Sequence, residues 1–105
     1  MKVKIPFRPY FCRALTSGVK VCTARSSRMG NPGDTFTACG ETFELLSLTD
    51  EDLYTVSTYW KEEGCNSREH FIEIWNEIHP CKHYSDSQRI YLHRFKLAAP
   101  KEPRL

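Results

Sequence analysis

The sequence predicts an α+β domain built around a small, partly closed, mixed or antiparallel sheet. Two observations carry this. The strand-like segments fall on either side of a helical insertion, in the order helix, three strands, two helices, one strand. The chain is 105 residues long, shows no internal repeat, and so suits a single domain over 1–105 rather than two cores.

The first helix is expected in PYFCRALTSG, where Phe11, Ala14 and Leu15 recur at helical spacing and Gly18 closes the turn. VCTA then reads as a strand, and SSRMGNPGD as a loop of turn formers. TFTACGETFELLSL predicts two antiparallel strands about a Cys39-Gly40-Glu41 turn, burying Phe36, Phe43 and Leu45. Thr49 followed by Asp50, Glu51 and Asp52 reads as the capped start of a helix carrying Leu53, Val56 and Trp60. Asn66 or Ser67 caps the next helix, with Glu69 completing a capping box from Asn66 and Phe71, Ile74, Trp75 and Ile78 forming a core stripe. Pro80 ends that helix, RIYLHRFKL is the last strand, and 98–105 reads as a frayed tail.

Composition narrows the function classes. Hydrophobic residues make up 40% and charged residues 27% of the chain, and no apolar run approaches the ~20 residues that span a bilayer. The basic start MKVKIPFRPY lacks the apolar core of an export signal, so a soluble, cytoplasmic protein is expected. Cys12, Cys22, Cys39, Cys65 and Cys81 are odd in number and lack C-x-x-C spacing, so reduced thiols are expected rather than a disulfide framework. His79, Cys81 and His83 alternate in HPCKH, but the recognisable paired spacing of a four-ligand zinc site is missing, and no metal is expected. Charge is segregated along the chain: Lys2, Lys4, Arg8, Arg13, Lys20, Arg25 and Arg28 precede the first carboxylate, Asp34. A second basic run follows Asp86, through Arg89, Arg94, Lys96, Lys101 and Arg104. If the ends pair in one sheet, these cations share a face suited to phosphate or another anionic partner.

The order of Gly18, Lys20, Thr23 and Arg25, then Gly33-Asp34, then Glu63, Gly64 and Ser67 ahead of Phe71 and Trp75, with Phe95 in the closing strand, resembles the ASCH family. These domains are small relatives of the PUA-like RNA-binding barrels, and the resemblance covers most of the chain. Within the family the chain is similar to the short bacterial N4-acetylcytidine amidohydrolases. Their lysine, threonine and glutamate fall on Lys20, Thr23 and Glu63, with Glu62 a competing match because one residue is inserted before the helix cap.

The resemblance implies a PUA-like barrel with flanking helices and a cleft for a modified nucleoside or RNA, with no cofactor and no obligate protein partner. Amide hydrolysis needs a nucleophile, a proton carrier and oxyanion stabilisation. Thr23 would be the nucleophile, Lys20 its base, and Glu63 the acid/base. Arg25 would anchor the base edge or a phosphate, the loop residues Ser26, Ser27 and Arg28 would contact phosphate, and in an RNA-binding module Tyr10 or Tyr91 would stack on bases. In a regular strand Lys20 and Thr23 face opposite ways, so this arrangement requires Lys20 to belong to the turn after Gly18. A different class remains open: a non-catalytic RNA-binding module, or an RNA-cleaving one, using the same surface.

Overall fold

The computed structural model describes residues 1–98; beyond Ala98 the tail expected to fray lies outside the described residues. A 3-10 turn at Pro9–Phe11 leads into α1 (Cys12–Thr16), followed by β1 (Cys22–Arg25), β2 (Thr35–Ala38), β3 (Glu41–Asp52), α2 (Leu53–Thr58), α3 (Arg68–Ile78) and β4 (Arg89–Leu97). The four strands form one curled antiparallel sheet in the order β1-β4-β3-β2, a half-barrel flanked by the helices. A register shift between Leu45 and Ser47 in β3 adds to its bend, as bulges do. No helix among the described residues is long and apolar enough to cross a membrane.

Alternation along the strands sends Phe36, Phe43, Leu45, Ile90, Leu92 and Phe95 into the core. Phe36 stacks on Phe43 at 5.3 Å, and Phe95 meets both edge-on at 5.3 and 5.5 Å, the offset geometries favoured by the ring quadrupole. Phe7, from the N-terminal segment, closes this cluster against Phe36 and Phe95. Leu15, Leu53 and Val56 bring α1 and α2 onto the same core.

Several local expectations are corrected. Thr49–Asp52 do not begin a helix: they stay in β3, paired with Leu92 through Arg89 of β4. The cap of α2 is Asp52, whose carboxylate accepts from Thr55 N at 2.7 Å. Trp60 lies past the end of that helix. Ser67 caps α3, accepting from His70 N, so the box expected from Asn66 does not form. The largest correction concerns the thiols. Cys12 and Cys39 form a disulfide joining the start of α1 to the β2–β3 turn, while Cys22, Cys65 and Cys81 are free. Sequence spacing missed this pair because the strand order, not the separation of 27 residues, brings the hairpin tip beside α1.

Candidate active site

Lys20 sits outside β1, in the turn that Gly18 makes possible at φ +82°. Val19 N and Lys20 N both donate to Ala14 O, at 3.0 and 2.9 Å, which fixes the exit from α1. The lysine side chain is therefore free of the strand's alternation. Within β1, Thr23 and Arg25 share a face as residues two apart should. Lys20, Thr23, Arg25 and Glu63 all line one cavity of about 620 Å³, within the ~300–1,000 Å³ typical of small-molecule sites.

Glu63 reaches the cavity from the turn after α2. Its N–H donates to Tyr59 O at 3.0 Å, and Gly64, at φ +86°, reverses the chain behind it. A Cβ on Gly64 would come within 3.2 Å of Lys20 Cβ, so this glycine also makes room for the lysine stem. Glu62, one residue earlier, points elsewhere and pairs with Arg94 at 2.7 Å on the surface.

Lys20, Thr23 and Glu63 are 3%, 5% and 4% exposed. Lys20 Nζ donates to Glu63 O at 2.7 Å and to Glu63 Oε1 at 3.1 Å, and its ammonium lies 4.6 Å from the centre of the Phe11 ring. Such a buried ion pair is tolerated only when its remaining polar atoms are satisfied. The Cys22 thiol helps by donating to Glu63 Oε2 at 3.7 Å. Burial, reinforced by the Glu63 charge, pushes the Cys22 thiol far above its ordinary range, and burial raises Cys65 to about 11. Both stay protonated and are not nucleophiles.

Arg25 is committed to the site interior. Its Nε donates to Thr23 Oγ1 at 3.1 Å and its Nη2 to Pro6 O at 2.6 Å, and it lies 5.0 Å from the Phe7 ring centre. Burial lowers its pKa, with Glu63 opposing that shift. A guanidinium on a threonine oxygen favours any negative charge developing there. The cavity thus holds a hydroxyl under a fixed cation beside a lysine–glutamate pair, the groups that acyl transfer requires.

Ser26 also lines the cavity, with Ser27 and Met29 from the same loop. Met29 N donates to His93 Nε2 at 3.0 Å, which ties that loop to β4. Arg28 and Tyr10 do not join the lining. Arg28 lies over the Tyr91 ring at 5.5 Å. Tyr10 borders a neighbouring depression, its hydroxyl 3.3 Å from His70 Nε2. The opposite wall was missed by sequence reasoning: Phe71, Trp75 and His79 face the cavity from α3 and its C-terminal cap. Their spacing of four was visible, but an apolar helical stripe does not reveal which part of it borders an opening.

No family model and no curated protein matches the sequence. Solved structures do. The crystal structure of hypothetical protein PH0355 superposes with a TM-score of 0.73 at 11% identity, covering 93% of this chain and 100% of that one. An ASCH domain from Lactobacillus crispatus JV V101 superposes with a TM-score of 0.62 at 12% identity, covering 91% of this chain and 77% of that one. The chain therefore has the α+β, PUA-like fold of an ASCH domain. At such identities the likeness speaks for the fold alone.

Proposed function

We propose that this ASCH-fold protein is an amidohydrolase that removes the acetyl group of N4-acetylcytidine. The observation that carries the reading is that Glu63, 43 residues beyond Lys20, meets Lys20 and Thr23 in one cavity, all three nearly fully buried. Proton transfer from Lys20 Nζ to Glu63 Oε1, across their 3.1 Å contact, yields a neutral amine and a carboxylic acid. The amine takes the Thr23 proton as Oγ1 attacks the acetyl carbonyl, a Lys20–Thr23 contact that the substrate complex has to close. Arg25 faces the charge that develops beside Thr23. Collapse breaks the C–N4 bond, and Glu63 delivers its proton to the departing amine of cytidine. Water then attacks the acyl-threonine, giving one proton to Glu63, while Lys20 returns a proton to Thr23 as acetic acid leaves, restoring the neutral amine and carboxylic acid.

The pairing of surface cations also supports a small neutral substrate over a polyanion. Arg8 pairs with Glu77, Arg68 with Asp86, Arg89 with Asp50 and Arg94 with Glu62. Those contacts occupy cations that a phosphate backbone would need. The test is to incubate purified protein with N4-acetylcytidine and follow the loss of the acetylated chromophore. The wild type is expected to turn over and Thr23→Ala to be inactive. A wild type without turnover would remove this substrate from consideration.

A further inference from the structure

Trp75 and His79 stack at 4.1 Å between ring centres, with an interplanar angle of 25°, and both border the cavity from the α3 side. The Trp75 carbonyl accepts the last α-helical bond of α3, from the C-cap His79 N at 2.9 Å, and also lies 3.0 Å from His79 Nδ1. A carbonyl only accepts, so Nδ1 carries the ring proton. In that tautomer Nε2 is the ring's lone pair, and no side chain or backbone group among the described residues uses it. Trp75 Nε1 is buried without a partner, so the indole's edge is packed into the protein rather than offered to a ligand. This end of the cavity thus has an unused acceptor, which a hydroxyl donor of a bound substrate matches.

We infer that His79 is a specificity-determining residue that reads a ribose hydroxyl of the substrate through Nε2, with Trp75 holding its ring in place. The inference rests on the proposed deacetylase reading and follows from the chemistry of that substrate. With the N4 amide held at Lys20, Thr23 and Glu63, the cytosine ring offers only the acceptors N3 and O2. The donors that remain are the sugar hydroxyls. The site therefore takes the nucleoside in preference to the acetylated base.

The experiment compares the affinity of wild type, His79→Phe and His79→Gln for N4-acetylcytidine and for N4-acetyl-1-methylcytosine, which lacks the sugar. Phenylalanine keeps the stack and loses the lone pair, whereas glutamine restores an acceptor. Wild type is expected to prefer the nucleoside by about threefold to tenfold, the value of one neutral hydrogen bond. His79→Phe should erase that preference without weakening the methylated base, and His79→Gln should recover part of it. The inference is overturned if His79→Phe keeps the preference, or if it weakens both ligands equally, as loss of a purely structural cap would. It also fails if wild type binds both ligands equally, a result that leaves the deacetylase reading standing. Binding of neither ligand would overturn both.

Discussion

Glu63 is 4% exposed and the Glu62 side chain 44%, although one peptide bond separates them. Which carboxylate meets Lys20 is decided by the turn behind Gly64, and the variants should divide accordingly. Glu63→Gln is expected to abolish deacetylation, while Glu62→Gln, which loses only a surface pair worth about 0–1 kcal/mol, should retain it within a few-fold. Turnover assays on both variants check this, and the reverse pattern would reassign the acid/base. Stability separates the two sites as well. Lys20→Met leaves the Glu63 carboxylate buried without its partner and should cost about 3–5 kcal/mol in denaturant unfolding. A companion Glu63→Leu change should recover part of that loss, since neighbouring sites couple.

Among the elements, the loop from Ser26 to Gly33 is tied to β4 through one histidine. His93 is fully buried, with Nδ1 3.1 Å from Tyr91 O and Nε2 accepting from Met29 N at 3.0 Å, so it is folded in the neutral form. Burial holds its pKa below the ordinary value. In the unfolded chain it protonates near pH ~6.5, so the unfolded state binds more protons below that point. The stabilisation is fully present above pH ~6.5 and is lost as pH falls toward the depressed folded value. Urea midpoints measured from about pH 7.5 to about pH 5 should decline more steeply in wild type than in His93→Gln, and equal slopes would contradict the assignment.

The same elements show what the sequence made legible. Gly18 ahead of Lys20 and the apolar stripe of α3 are local signals; the structure follows the first, and of the stripe it buries Phe71 and Trp75 while Ile78 is exposed. Thr49–Asp52 carries an equally good local signal for a helix start, yet pairing with β4 keeps it extended, with Arg89 Nε donating to Asp50 at 3.1 Å across the strands. Tertiary pairing overrode propensity there. The Cys12–Cys39 bond and the cavity wall at Trp75 and His79 depend on which elements become neighbours, and no local pattern encodes that.

For the molecule as a whole, the disulfide ties α1 to the β2–β3 turn over a separation of 27 residues. A closed loop of that size restricts the unfolded chain by about 3–4 kcal/mol. Reduction with a dithiol, or the Cys12→Ser/Cys39→Ser double variant, should lower the thermal midpoint, and an unchanged midpoint would show that the bond adds nothing. The segregated charge of the sequence suggested a basic face, but folding sets Arg8, Arg89 and Arg94 against carboxylates from the acidic middle of the chain. Single-stranded RNA should accordingly bind weakly, and tight, strongly salt-dependent binding in a titration at two ionic strengths would favour the RNA-binding alternative.

In the proposed deacetylation Thr23 attacks the acetyl carbon under control of Lys20 and Glu63. Mass spectrometry of protein mixed with N4-acetylcytidine and quenched in acid tests it most directly. A transient acetyl group is expected on the peptide that carries Thr23, absent when substrate is omitted and absent in Thr23→Ala. Turnover with that peptide never acetylated, or undiminished turnover by Thr23→Ala, would contradict it.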